Sequence, residues 1–276
     1  MTDISTRDFE AFRSRVEQLV HQHPVVVNNA YTRWFAKGET TSEDVRHLAV
    51  QFSVFSHIFM EAQLRKVINA PTLEQYRAGK EILMNELGVV FHSEKSGVKE
   101  TSTGETVNPE LVGTQGTVHG SPYRHDAAHF EWLVKFAEPL GVRFEDMGKR
   151  KHATESTLFF CDELLRLCGS DDSWTAEGAS YAIEHWAAAG FWKELIAGLR
   201  AFRLRECPSL PLGFFTWHDM VEDQHAAHTE DELAEAYRQP GFDEGKFLQG
   251  AKELLDAVKV FWDGLEADRQ LARKAA

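Results

Sequence analysis

The stretch TWHDMVEDQHAAH, Thr216 to His228, places three histidines and three acids within thirteen residues. It lies in FFTWHDMVEDQHAAHTEDELAEAYRQ, a segment of helical period. Each residue of an α-helix advances about 100°, so His218, Glu222 and His225 fall within an arc of roughly 60°. Asp219 and Asp223 point elsewhere and suit solvent, and His228 is a neighbouring or surface residue. Two imidazoles and a carboxylate from successive turns suit iron, manganese or zinc, whereas thiolates would point to zinc or an iron–sulfur cluster. The competing reading is a charged helix face, since 13 histidines make chance pairs common. Phe214, Phe215, Trp217 and Met220 surround His218 with apolar residues and favour the ligand reading.

One helix cannot close around a metal, so further ligands are sought among acids in apolar surroundings. Glu184, in SYAIEHWAAAGFWKELI, is the clearest, because a lone carboxylate on such a face is costly unless it is paired or coordinates something. Glu86, in EILMNELGVV, comes next; a carboxylate is unfavourable at the negative end of a helix dipole. Glu61, in HIFMEAQL, has His57 one turn before it, which also suits a simple i, i+4 pair. His125 and His129 form another i, i+4 pair, with one of them expected to face the core beside Phe130 and Leu133.

Almost every long segment shares the helical period, and no strand series or repeat is found. Helices are expected over STRDFEAFRSRVEQLVHQHP, opened by a Ser/Thr cap, over TSEDVRHLAVQFSVFSHIFMEAQLRKVI, and over TLEQYRAGKEILMNELG. Further helices are expected over SPYRHDAAHFEWLVKFAEPLG, TESTLFFCDELLRLC, WTAEGASYAIEHWAAAGFWKELIAGLRAF and DEGKFLQGAKELLDAVKVFWDGLEADRQ. Between them, residues 93–120 are rich in Gly, Thr, Ser and charge and read as a long loop insertion. The chain, 1–276, is expected to be one all-α domain.

A formal charge of −13 excludes the basic footprint that nucleic acid or an anionic membrane surface requires. No stretch approaches the ~18 apolar residues of a membrane span, and the first residues show no signal-peptide pattern. Cys161, Cys168 and Cys207 lack zinc-type spacing and read as reduced residues of a cytoplasmic protein, the first two on one buried face.

Glu86 in N-E-L-G, a histidine before L-x6-L-G, the isolated Glu184 and then H-x3-E-x2-H together resemble the heme-oxygenase-like diiron oxidases. That group is related to thiaminase II and pyrroloquinoline-quinone synthase. The resemblance runs from the second long helix to the His225 helix, and the terminal triad is its most specific part. It implies a heme-oxygenase-like bundle of about seven core helices and a homodimer. It also implies two Fe2+ ions, with O2 as co-substrate. One iron would take Glu86, His129 and a shared Glu184; the other would take His218, Glu222 and His225. Glu61 stands where some members add a carboxylate, and His92 and His125 are alternatives to His129.

Two departures matter. The middle triad position is often Asp in the family, whereas this chain has Glu222, and the insertion separates Glu86 from His129. The implied activity is oxidation of a small metabolite, an amine or amino-acid derivative, by N-oxygenation or oxidative C–C cleavage. Trp186, Phe191, Trp192, Phe214 and Trp217 are candidate cavity walls. The alternatives are a metal-independent enzyme like thiaminase II on the same scaffold, and a metal-binding protein without turnover.

Overall fold

The helical periods become helices in a computed structural model, which describes residues 8–88 and 127–275, though not the side chains of residues 78, 221–229, 231, 232 and 275. The 93–120 insertion, His92 and His125 lie outside the described residues. Eleven α-helices follow in order among the described residues: α1 Phe9–His21, α2 Pro24–Val27, α3 Ala30–Phe35, α4 Ser42–Ile68, α5 Leu73–Glu86, α6 His129–Ala137, α7 Glu155–Cys168, α8 Ser173–Ala188, α9 Phe191–Arg205, α10 Gly213–Arg238 and α11 Glu244–Ala275. No strand occurs among the described residues, and no described helix is long and apolar enough to cross a membrane.

Short polar side chains set several starts by accepting the amide protons that a first turn leaves without partners. Thr41 caps α4 in a reciprocal box with Asp44, and Thr72, Thr154 and Asp172 cap α5, α7 and α8. The first helix opens on Asp8, whose side chain accepts from Ala11 N–H, and not on the Ser/Thr expected from sequence. The span WTAEGASYAIEHWAAAGFWKELIAGLRAF is two helices, α8 and α9, broken at Gly190 with φ +94°.

Helix α11 packs along α8 and α7, α4 against α7 and α5, and α10 against α8, α9 and α6. Their buried faces merge into one core, with Phe52 ringed by Trp192, Phe214, Phe215, Phe261 and Trp262. Where α8 meets α11 the two backbones touch. A Cβ added at Gly178 would lie 2.0 Å from the Phe247 carbonyl oxygen, and one at Gly250 would lie 2.2 Å from that of Thr175. Cys161 and Cys168 share the buried face of α7, and burial pushes both thiols up to about 12.

His23 joins the start of α2 to the middle of α11. Its Nδ1 accepts from Val25 N–H at the start of α2, and its Nε2 lies 3.1 Å from Asp256 of α11. Burial holds its pKa below the ordinary value, outweighing the Asp256 carboxylate. The unfolded chain therefore takes up a proton near pH 6.5 that the folded one refuses until lower pH, so stability falls as pH drops through that window. Denaturant midpoints at pH 7 and pH 5 are expected to differ less in a His23→Asn variant than in the parent.

Candidate metal centre

Three helices bring three ligand types to one place. Glu86 ends α5, His129 begins α6, and His218 lies one turn into α10. One ligand atom from each lies within 4.8 Å of the other two, a grouping that could hold a single metal ion. His129 and His218 cross edge to face, with ring centroids 5.0 Å apart.

Each member is prepared for a cation in a different way. The His129 ring is buried, and its Nδ1 stands 3.1 Å from Glu86 Oε1. The two atoms are not aligned as a hydrogen bond, and Nδ1 finds no other hydrogen-bond partner. An imidazole nitrogen and a carboxylate oxygen that are close but unaligned suit a common positive centre better than each other. The Glu86 carboxylate, at the negative end of α5, also lacks the compensation a helix start would give it.

His218 Nδ1 lies 2.6 Å from the Phe214 carbonyl oxygen. A carbonyl only accepts, so Nδ1 carries the proton of this bond, which leaves Nε2 as the nitrogen that would ligate a metal. A ligand histidine fixed through its other ring nitrogen is the usual arrangement in metal sites.

Aromatic rings wall this group. Trp132 stacks on His129, Trp192 stacks on His218, Phe214 lies against His218, and Trp217 contacts both imidazoles. An apolar wall lowers the local dielectric and strengthens a carboxylate's hold on a cation. Carboxylate and imidazole donors without thiolate suit iron, manganese or zinc, so the residues present fit the implied ion.

The other candidates lie as follows. Glu184 is buried at 7% exposure on α8, where its charge reaches Cys168 and His185; it is not among the three converging residues. One turn before it, Ser180 accepts from Lys66 Nζ at 2.6 Å. Glu222 and His225 belong to α10, but their side chains are outside the described residues.

Glu61 is exposed and pairs with Arg65 at 2.7 Å, on the outer side of α4. The i, i+4 pair read from sequence is thus made with Arg65, while His57 packs edge-on against Phe130. His218, assigned from the resemblance to a different iron from Glu86 and His129, stands in one group with them. A second polar set, which the sequence reading missed, joins α1, α8 and α10. Tyr181 donates to Glu230 and stacks on His185, whose pKa burial pushes down to about 4. Its signal in the sequence is the i, i+4 spacing of Tyr181 and His185.

No protein-family model and no curated protein sequence matches the chain. Solved structures do. A domain of unknown function with a heme oxygenase-like fold from Shewanella denitrificans matches with a TM-score of 0.63 at 13% identity, over 98% of this chain and 97% of that one. A CADD-like protein of unknown function from Nostoc punctiforme matches at 0.63 and 19% identity, over 94% and 97%. A TenA homolog from Pseudomonas syringae pv. tomato matches at 0.62 and 10% identity, over 96% of each chain. The chain therefore has the all-helical, heme oxygenase-like fold that its sequence motifs imply. At these identities the likeness is one of fold.

Proposed function

We propose that the chain is a non-heme dinuclear-iron oxidase or oxygenase that uses O2 to oxidise a small metabolite, an amine or amino-acid derivative. The observation that carries this reading is the convergence of Glu86, His129 and His218 from three helices inside an aromatic wall. In this reading those three residues hold one iron, and Glu184, Glu222 and His225 complete the set for the second. Bound ferrous iron supplies the electrons with which O2 is activated. The rest falls to the protein. Glu86 provides charge compensation, and the Phe214 carbonyl keeps the His218 proton on Nδ1. Trp132, Trp192 and Trp217 exclude water from the space where substrate is oxidised, which protects reactive species from side reactions.

The likeness to a TenA homolog suits a metal-independent, thiaminase-II-like enzyme on the same scaffold. That alternative has no need of His129 and His218 beside a carboxylate. Cys161 and Cys168 do not supply a nucleophile, because thiols pushed up to about 12 hold almost no thiolate near neutral pH.

Anaerobic loading with ferrous iron, followed by exposure to O2, tests the reading through metal stoichiometry, absorbance and O2 uptake. Close to two irons per chain are expected, with binding lost in a His218→Ala/His225→Ala double variant. Iron binding that survives the double variant would overturn the proposal. Binding without O2 consumption across amine and amino-acid substrates would favour a metal-binding protein without turnover.

A further inference from the structure

Beyond the three converging ligands, the aromatic residues form an ordered line through the core. Trp192 stacks on His218 with centroids 5.0 Å apart, and Phe191 lies 4.4 Å from Trp192. Trp186 stacks on Phe191 at 4.5 Å and 8° between planes, and Trp262 lies 5.7 Å from Phe191 and 6.4 Å from Trp186. Tyr31 follows at 5.6 Å from Trp262, and Trp34 at 5.5 Å from Tyr31. Trp34 reaches the rim, under the guanidinium groups of Arg269 and Arg273 at 4.2 and 4.9 Å from its ring. The four indoles on this line are buried, between 2% and 7% exposed.

Indoles are among the side chains most easily oxidised by one electron, and electron tunnelling weakens steeply with distance. Rings a few ångströms apart exchange electrons far faster than rings separated by a helix diameter. We infer that Trp192, Trp186, Trp262 and Trp34 form a one-electron path between the His218 edge of the site and the protein rim, with Phe191 and Tyr31 as bridging rings.

The electron count closes without permanent change to the chain. A one-electron oxidant derived from O2 at the proposed iron site would take one electron from Trp192 and be reduced by it, leaving an indole radical cation. Trp192 is refilled from Trp186 or Trp262, Trp262 is refilled from Trp34, and Trp34 from a small soluble reductant such as ascorbate. The reductant loses one electron and releases its proton to solvent; every indole is restored. The two guanidinium groups disfavour a positive charge on Trp34, so the vacancy rests on Trp262 until the reductant arrives.

The path's purpose rests on the proposed iron chemistry, but its conductivity does not, and the test reads conductivity in metal-free protein. A ruthenium tris-bipyridyl sensitiser is attached at Arg273→Cys in a Cys207→Ser background and illuminated with persulfate as electron acceptor in air. Ruthenium(III) takes an electron from Trp34, and indole radicals that persist add O2 and appear as mass increases in peptide maps. Oxygenation is expected at Trp34, Trp262, Trp186 and Trp192. In Trp262→Phe, oxygenation of Trp192 is expected to fall at least tenfold while that of Trp34 is unchanged. Should that variant not fold, Trp34→Phe at the rim is expected to lower oxygenation at both Trp262 and Trp192. Oxygenation confined to Trp34 in the parent, or Trp192 oxygenation undiminished in these variants, overturns the path.

Discussion

Replacing His218 with alanine is expected to weaken ferrous binding at the Glu86 end of the site by at least about a hundredfold. Losing residues that merely support metal ligands costs 10- to 100-fold in typical metal sites, and losing a ligand costs more. Here the loss takes away one of the three donors that converge among the described residues and opens the aromatic wall that Trp192 closes against the imidazole. Glu86→Ala and His129→Ala are expected to remove the same ion as His218→Ala, because their ligand atoms share one locus. A Glu222→Ala/His225→Ala variant is expected to spare that ion and remove the other. Anaerobic calorimetric titration with ferrous iron distinguishes the cases. If His218→Ala and Glu86→Ala each lose a different ion, the grouping of these residues around one centre is incorrect.

A Gly178→Val substitution is expected to destabilise the fold by about 3 kcal/mol or more, at the upper end of what overpacking a core costs. The argument is steric. A Cβ at Gly178 would meet backbone, the Phe247 carbonyl oxygen at 2.0 Å and its Cα at 3.0 Å, and no flexible side chain is available to yield. Gly250 makes the same approach from the other helix, so α8 and α11 would have to separate along their contact. Gly178→Ala is expected to show most of the effect. For a chain of this size the loss corresponds to a fall in melting temperature of roughly 10 °C, read by circular dichroism. A fall of only a degree or two would mean that the helices slide apart at little cost.

Much of the fold was legible because long amphipathic helices announce themselves by period, as α1 and α11 do. Helices α2 and α3 were not, since four and six residues are too few for a period to show. The break between α8 and α9 escaped for another reason. Apolar spacing continues across Gly190, and a lone glycine within a helical pattern carries no mark of the positive φ it adopts.

In the site, the family resemblance favoured His129, with His92 and His125 as alternatives that lie outside the described residues, and the structure places His129 against Glu86 and His218. Local periodicity identifies which face a residue occupies, but not which ligand of another helix it meets. That is why His218 joins Glu86 and His129, although it was assigned to the other ion. Glu61 shows the converse. Its apolar sequence neighbours suggested an inward carboxylate, yet its own position on α4 turns it outward to Arg65.

Helix α5 ends at Glu86 and, among the described residues, is held to the bundle mainly through α4. Among its described side chains Leu83 is the one large apolar residue buried, while Leu73 and Tyr76 face outward, and its main packing partner is α4. His129 and His218, by contrast, are gripped by core aromatics. A cation shared by all three would act as a rivet driven through a loose sheet into a solid block. Part of its binding energy would go into holding α5 down. The site could then fill and empty through movement of a peripheral helix, with the core standing still.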